Sequence, residues 1–217
     1  MLIQFLSYND HQKLQSLIIS SRHVQINKAK SHYITEILLG LESLKYLTFP
    51  NGSHLASLKR PLYKLTHLTL QSCLSTDLNT IFKSVPNLTY LKVMIPNAQG
   101  TFMFDSTPPY LNTLIIESYR WISFGEIDKF ASMMKCLQCF ILETLGDETL
   151  LDGRRWETLV KTKLPNLNQF ALNISAEENN MSGDDVLIPF QSFFWTQQKR
   201  WHMACFISTM TLSCVRL

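Results

Sequence analysis

The stretches KLTHLTLQSC (64–73) and SVPNLTYLKV (84–93) carry one signature: a leucine, two residues, a second leucine, one residue, then an aliphatic side chain. Two positions apart on an extended chain means the same face of a strand, so the last two apolar residues of each signature point together into a core. The first enters from the preceding turn. Read outward from these stretches, the signature occurs seven times, as Leu14-Leu17-Ile19, Leu44-Leu47-Phe49, Leu65-Leu68-Leu70, Leu88-Leu91-Val93, Leu111-Leu114-Ile116, Leu137-Phe140-Leu142 and Leu167-Phe170-Leu172. Successive first residues are 30, 21, 23, 23, 26 and 30 apart. Three large side chains per signature contribute roughly 5–9 kcal/mol at ~1.5–3 each on burial. Ordering some twenty backbone residues costs more than that, at ~1–2 kcal/mol apiece. One copy cannot fold alone; stacked copies can.

A repeat of this pattern and period is that of a leucine-rich-repeat solenoid, an α/β fold with parallel strands on the concave side and irregular helices and loops on the convex side. Seven strands are therefore predicted to pair in parallel, in sequence order, with every triplet residue buried. Return segments at 29–40, 75–84, 125–135 and 152–163 show helical spacing, with Leu78, Ile81 and Phe82 on one face of the second and Ser75 or Thr76 as its N-cap. Ile127, Phe130, Met133 and Met134 mark the third, and Trp156, Leu159 and Val160 the fourth. Gly40 is a candidate C-cap. The prolines and glycines of 50–62 and 95–109 predict loops or turns of 3₁₀ helix. The repeats span 1–174. An acidic loop at 175–185 and an aromatic capping segment complete 175–217, with a helix or hook at about 189–200, a strand in HMACFIS and Trp195 and Trp201 partly buried against the last repeat. The final TMTLSCVRL has strand character without an evident partner.

The 217 residues include 46% hydrophobic and 17% charged side chains, a core-forming balance, and a net charge of +3. So small an excess, scattered along the chain, argues against nucleic acid as the partner. No window has the length of a membrane span, and MLIQFLSYNDHQK lacks the basic start and apolar run of a secretory signal. With five cysteines and no such signal, an intracellular chain with free thiols, cytoplasmic or nuclear, is expected.

KLTHLTLQSC, SVPNLTYLKV and KLPNLNQFAL (163–172), with their Pro-Asn-Leu entries and with Cys73 three residues after its triplet, resemble the repeats of F-box/leucine-rich-repeat proteins. The tail FFWTQQKRW (193–201) is similar to the C-terminal end of a group of invertebrate F-box-domain proteins. The resemblance covers about residues 10–205. It implies the substrate-recognition part of a ubiquitin-ligase adaptor. Only Cys73 fills the Asn/Cys position after the triplet; elsewhere stand Arg22, Gly52, Pro96, Tyr119, Leu145 and Ser175. An irregular solenoid without an Asn ladder follows. The F-box, a three-helix unit of some forty residues or more in that family, has no room before Leu14. Contact with the ligase scaffold would need that missing unit, and a truncated gene product without function is one reading.

No cofactor is called for. Cys136 and Cys139 form a C-x-x-C, the pattern of a thiol redox pair or half a zinc site, but it reads better as one turn cysteine and one strand cysteine of the sixth repeat. The histidines lack ligand spacing, and neither a phosphate loop nor a G-x-S-x-G is present. A non-enzymatic protein-binding module is the reading that remains, with the thiol enzyme as its rival. Its surface is the strand face opposite the core. Ser16, Tyr46, His67, Tyr90, Thr113, Cys139 and Gln169 form one predicted outward column. Ile18, Thr48, Thr69, Lys92, Ile115, Ile141 and Ala171 form the next; Ser20, Pro50, Gln71, Met94, Glu117, Glu143 and Asn173 form the third. Tyr46, His67, Tyr90, Lys92, Glu117 and Glu143 are the candidate partner-binding residues. Lys92 would meet an acidic and the glutamates a basic part of the partner.

Overall fold

The computed structural model describes residues 2–4, 13–20, 28–96, 107–146, 148–176, 183–206 and 211–216. The fold is α/β. The chain divides into two compact units, one carrying strands β1 to β5 and one carrying β6 to β10.

In the first unit, β2 (Ser16–Ser20), β3 (Tyr46–Phe49), β4 (His67–Leu70) and β5 (Tyr90–Ile95) pair in parallel and in sequence order. β1 (Leu2–Gln4), which periodicity does not reveal, adds antiparallel to β2. Helices α1 (Lys28–Gly40), α2 (Gly52–Leu55) and α3 (Ser75–Ser84) return the chain from one strand to the next. The register is the one that stacks the triplets, with Leu47 opposite Leu17 and Leu68, and Leu91 opposite Leu68.

In the second unit, β6 (Thr113–Trp121), β7 (Cys139–Gly146) and β8 (Gln169–Ala176) are parallel neighbours. α4 (Phe124–Ala131) and α5 (Gly153–Lys163) connect them. After β8 come α6 (Gly183–Leu187), a 3₁₀ turn at Ile188–Gln191, a π-helical turn at Phe194–Lys199, and strands β9 (Trp201–Phe206) and β10 (Thr211–Arg216). β10 lies antiparallel between β8 and β9. The final segment thus does have a partner, two in fact, contrary to its sequence reading. Its strand extends the unit's sheet where the triplets stop.

The triplet residues are buried with one exception: Leu14, on the turn entering β2, is only half-buried. Two hydrogen-bond devices repeat with the triplets. Where a strand begins, two successive amides donate to one carbonyl of the preceding repeat: Lys45 and Tyr46 to Gln15, Thr66 and His67 to Lys45, Thr89 and Tyr90 to Thr66, Gln138 and Cys139 to Asn112, Asn168 and Gln169 to Gln138. The Pro-Asn-Leu entry also acquires a cause. Asn87 Nδ2 donates to the Tyr63 carbonyl at 2.8 Å and Asn166 Nδ2 to the Lys135 carbonyl at 2.9 Å. Each side chain ties the turn before its strand to the turn of the repeat before.

Several local expectations are corrected. The N-cap of α3 is Leu74, with no side-chain hydrogen bond, because Ser75 is already helical. The helix predicted over 125–135 ends at Ala131, leaving Met133 and Met134 in the following turn, where Met134 is buried and Met133 half-buried. Its start is stronger than foreseen: Ser123 and Glu126 form a reciprocal capping box. Residues 50–62 contain the α-helical turn α2, capped by Asn51. Pro50, assigned above to an outward column, is buried. The segment 175–185 opens as the end of β8 and closes as the start of α6; 177–182 and 97–106 lie outside the described residues. No helix among the described residues is long and apolar enough to cross a membrane.

Trp195 and Trp201 are more deeply placed than expected, at 0% and 1% exposed. Their rings lie 5.9 and 5.4 Å from that of Phe170 and 5.7 Å from each other. Phe170 also meets Trp156 at 5.2 Å and Phe140 at 6.3 Å. Gly153 permits this cap: a Cβ there would come within 2.8 Å of the Pro189 backbone.

Candidate functional site

The pleat decides what the first unit presents. Along β3, β4 and β5 the inward positions are buried and the alternate ones are open or half-open. Tyr46, His67 and Tyr90 occupy the same outward position on three adjacent strands, paired Tyr46 to His67 and His67 to Tyr90. Their rings form a pile. Tyr46 and His67 have centroids 4.5 Å apart at 38°, and His67 and Tyr90 are 5.6 Å apart at 20°. Tyr46 is 45% exposed. The next column sets Ile18, Thr48, Thr69 and Lys92 side by side, with Ile18 49% exposed. The outward columns read from sequence are therefore the columns of this unit, up to Pro50.

His67 is held from one side. Thr66 Oγ1 donates to the Lys45 carbonyl at 3.3 Å and lies 2.9 Å from His67 Nδ1. The contact anchors the ring through Nδ1, whichever of the two groups donates. Burial holds the imidazole pKa below its ordinary value, as it does for His54.

The second unit carries the remaining candidates. Glu117 and Glu143 are register partners on β6 and β7, with Asn173 next on β8. Ile115, Ile141 and Ala171 form the column before them. The two glutamates thus form a like-charged pair on neighbouring strands of a unit other than the one carrying the ring pile, and the six candidates fall into two groups.

The C-x-x-C is a turn and a strand residue: Cys136 is exposed before β7, and Cys139 opens β7 half-buried. Both thiols are free. Burial pushes the Cys139 thiol up, away from the thiolate that redox chemistry needs. Cys73 is buried, and burial, with the Asp77 charge adding to it, raises its pKa to about 12. It packs on Gly52, the residue at the matching place in the previous repeat, where a Cβ would stand 2.5 Å from Cys73 Sγ. No group of three or more His, Cys, Asp or Glu suited to a metal occurs among the described residues.

Two open hollows mark the surface away from the candidate residues. One, of about 320 Å³, is lined by Leu41, Leu44, Pro61, Leu62 and Tyr63 among others. The other, of about 400 Å³, lies between α4 and α5 with Phe124, Arg154, Arg155 and Lys163 on its walls. Asp128 there is ion-paired with Lys163 at 2.6 Å.

The sequence reading missed a polar cluster on the inward side of β6 and β7. Arg120 is 8% exposed, and its Nη2 lies 2.7 Å from Glu126 Oε1. Thr144 Oγ1 donates to the Arg120 carbonyl at 3.1 Å, and the Arg120 amide donates to Ser118 Oγ at 3.2 Å. A register shift between Ser118 and Trp121 accompanies it. The Ser-x-x-Glu of 123–126 was the available signal, since the capping glutamate also receives the arginine.

A scan against protein-family models finds no match to this chain, and a search of curated proteins finds none either.

Proposed function

We propose that this chain is a non-enzymatic protein-binding module, a leucine-rich-repeat solenoid resembling the substrate-recognition part of an F-box-type ubiquitin-ligase adaptor. The observation that carries the reading is the Tyr46–His67–Tyr90 pile: three rings in register on the open side of parallel strands, with Lys92 and Ile18 beside them. The fold does not need aromatic rings there. The adjoining outward column manages with Thr48 and Thr69. Tyrosine combines apolar bulk with a polar tip at low entropic cost, the combination that dominates protein–protein hot spots. A broad strand face rather than either hollow suits another protein, and neither nucleic acid nor membrane is the partner. Glu117 and Glu143 offer a second, acidic contact for a basic part of that partner. Coupling to a ligase scaffold requires an F-box joined to this unit.

The test is affinity capture of partners from a cell extract by the wild type and by a Tyr46→Ala/Tyr90→Ala variant shown to be folded by circular dichroism. Partners held by the wild type should be lost from the variant. Equal recovery of the same partners would remove this face as the binding surface.

A further inference from the structure

We infer that the outward side of β6 and β7 near their C-terminal ends, where Tyr119, Trp121 and Leu145 stand open beside Glu143, receives an arginine-containing apolar peptide segment of the partner. The inference rests on the protein-binding reading and names the chemistry of the segment that its acidic contact would take.

The local geometry starts from the bulge. Ser118 pairs with Thr144 and Trp121 with Leu145, so Tyr119 and Arg120 are extra residues on β6. Arg120 is buried there and Tyr119 is exposed. The inward side is tied down. The Arg120 amide donates to Ser118 Oγ at 3.2 Å, its carbonyl accepts from Thr144 Oγ1 at 3.1 Å, and its Nε donates to the Trp121 carbonyl at 3.1 Å. Glu126, 2.7 Å from Nη2, balances the guanidinium charge. A buried ion pair gains little stability over apolar packing of similar volume. A bulge, by contrast, re-aims the side chains around it. This one leaves Tyr119 and Trp121 in the open, 62% and 45% exposed, with Leu145, 36% exposed, opposite Trp121.

Ring faces are the second ground. Neither Tyr119 nor Trp121 has a ring or a cation against it among the described residues. The face of an aromatic ring carries the negative end of its quadrupole, and a guanidinium stacks on it favourably. The pile of the first unit differs, since His67 there lies between two rings.

Charge is the third ground. Glu143 is exposed two positions before Leu145, on the same side of β7, and has no hydrogen-bond or ion-pair partner among the described residues. No Lys, Arg or His occupies a described outward position of β6, β7 or β8. In sequence, β7 is followed by Asp147 and Glu148 and β8 by Glu177 and Glu178, with no Lys, Arg or His before Arg154 and Lys199 respectively. A planar guanidinium can both stack on a ring and give two N–H groups to a carboxylate, which the compact ammonium of lysine cannot match. Leu145 and the indole of Trp121 supply the apolar part.

The experiment uses three labelled peptides that alternate leucine with arginine, with glutamine or with glutamate, and reads their binding to the full chain by fluorescence anisotropy. Acrylamide quenching locates the bound peptide, because Trp121 is exposed whereas Trp156, Trp195 and Trp201 are buried. The arginine peptide should bind roughly three- to tenfold tighter than the glutamine peptide and shield Trp121 from acrylamide. Trp121→Ala should weaken both peptides roughly tenfold. Glu143→Gln should remove much of the preference for arginine and leave the glutamine peptide unchanged. An unaltered urea midpoint shows that each variant is folded. Absence of saturable binding, a glutamate peptide that binds as tightly as the arginine one, a bound peptide that leaves Trp121 quenchable, or affinities unchanged by Trp121→Ala would overturn the inference. Partner capture by the wild type against the Tyr46→Ala/Tyr90→Ala variant reads the other face and does not depend on these peptides, so the two can fail separately.

Discussion

The two units fill the first outward column and the core beneath it with different side chains. In the first, the core is mainly aliphatic, with Leu47, Leu68 and Leu91 stacked in register, and the aromatic residues of the first outward column face solvent as Tyr46, His67 and Tyr90. In the second, rings fill the core as Phe140, Trp156, Phe170, Trp195 and Trp201, and the same outward column holds Thr113, Cys139 and Gln169. One pleat rule governs both, because side chains alternate across a strand whatever their chemistry. The rule fixes which positions are buried and leaves the residue type to other demands. At the second unit's C-terminal side the demand is packing: β8 must receive the 3₁₀ turn, the π turn and β9, and flat rings fill the large gap. On the first unit's face Tyr46 stays 45% exposed and His67 and Tyr90 half-buried, so part of each ring is open to contact with something else.

The comparison is broken most severely at Phe170. Its ring touches those of Phe140, Trp156, Trp195 and Trp201. Phe170→Ala should cost ~3–5 kcal/mol, the range for large aromatic truncations in packed cores. Urea titration followed by tryptophan fluorescence reads it directly, since three of the four neighbours are indoles. A loss below ~1 kcal/mol, the size of a surface change, would mean that the ring cluster is not the second unit's core.

Next comes the aliphatic core of the first unit. Leu91 is fully buried, and Leu91→Ala should cost ~2–5 kcal/mol. Thr69→Ala, on the outward side of β4, should cost under ~1 kcal/mol. Similar midpoints for the two variants would put the strands out of register by one residue, since such a slip exchanges the faces.

A third effect belongs to the place where Gly52 and Cys73 follow one another in successive repeats. With a Cβ at position 52 only 2.5 Å from Cys73 Sγ, Gly52→Ala should destabilise by ~1–3 kcal/mol through overpacking. Cys73→Ala in the same chain should recover part of that, because it removes the sulfur the new methyl meets and leaves the Cys73 Cβ, at 2.9 Å, in place. Additive losses in a double-mutant cycle would show that the two positions do not touch.

These particulars also measure what was legible beforehand. Strand positions, their parallel order within each unit and the outward columns followed from the triplets, because a period of two and a repeat of 21–30 residues leave little freedom. The ring pile could be read as a column of Tyr, His and Tyr. The angles and distances between its rings could not, since side-chain torsions are not written in residue order. β1 was invisible because three residues make no pattern. β10 was visible as a strand, but its pairing with Ser175 and Ile174 of β8 depends on a chain reversal that no local signal encodes. The Arg120–Glu126 pair escaped for another reason: the alternation that buries Leu114 and Ile116 also turns Ser118 and Arg120 inward, but the triplet ends at Ile116 and does not tell that the strand runs on to Trp121. Leu14 failed in the other direction, carrying the motif on a turn that is not fully covered.

The smallest effect is electrostatic and sharpens the contrast in the first unit alone. Burial lowers the His67 pKa below its ordinary value, near 6.5. Between that lowered value and about 6.5 the unfolded chain binds more protons than the folded one, so acid favours unfolding there. His67 therefore contributes its full stabilisation above about pH 6.5 and loses it as the pH drops through the unfolded value towards the folded one. His54 is shifted the same way by burial, so wild type alone cannot separate the two. The measurement is the urea midpoint at about pH 7.5 and about pH 5.5 for wild type and His67→Phe. Both chains should lose stability on acidification and the variant should lose less, the difference being a fraction of a kcal/mol because the ring is only half-buried. An acid-induced loss that is identical in the two chains would mean that the His67 proton is not coupled to folding.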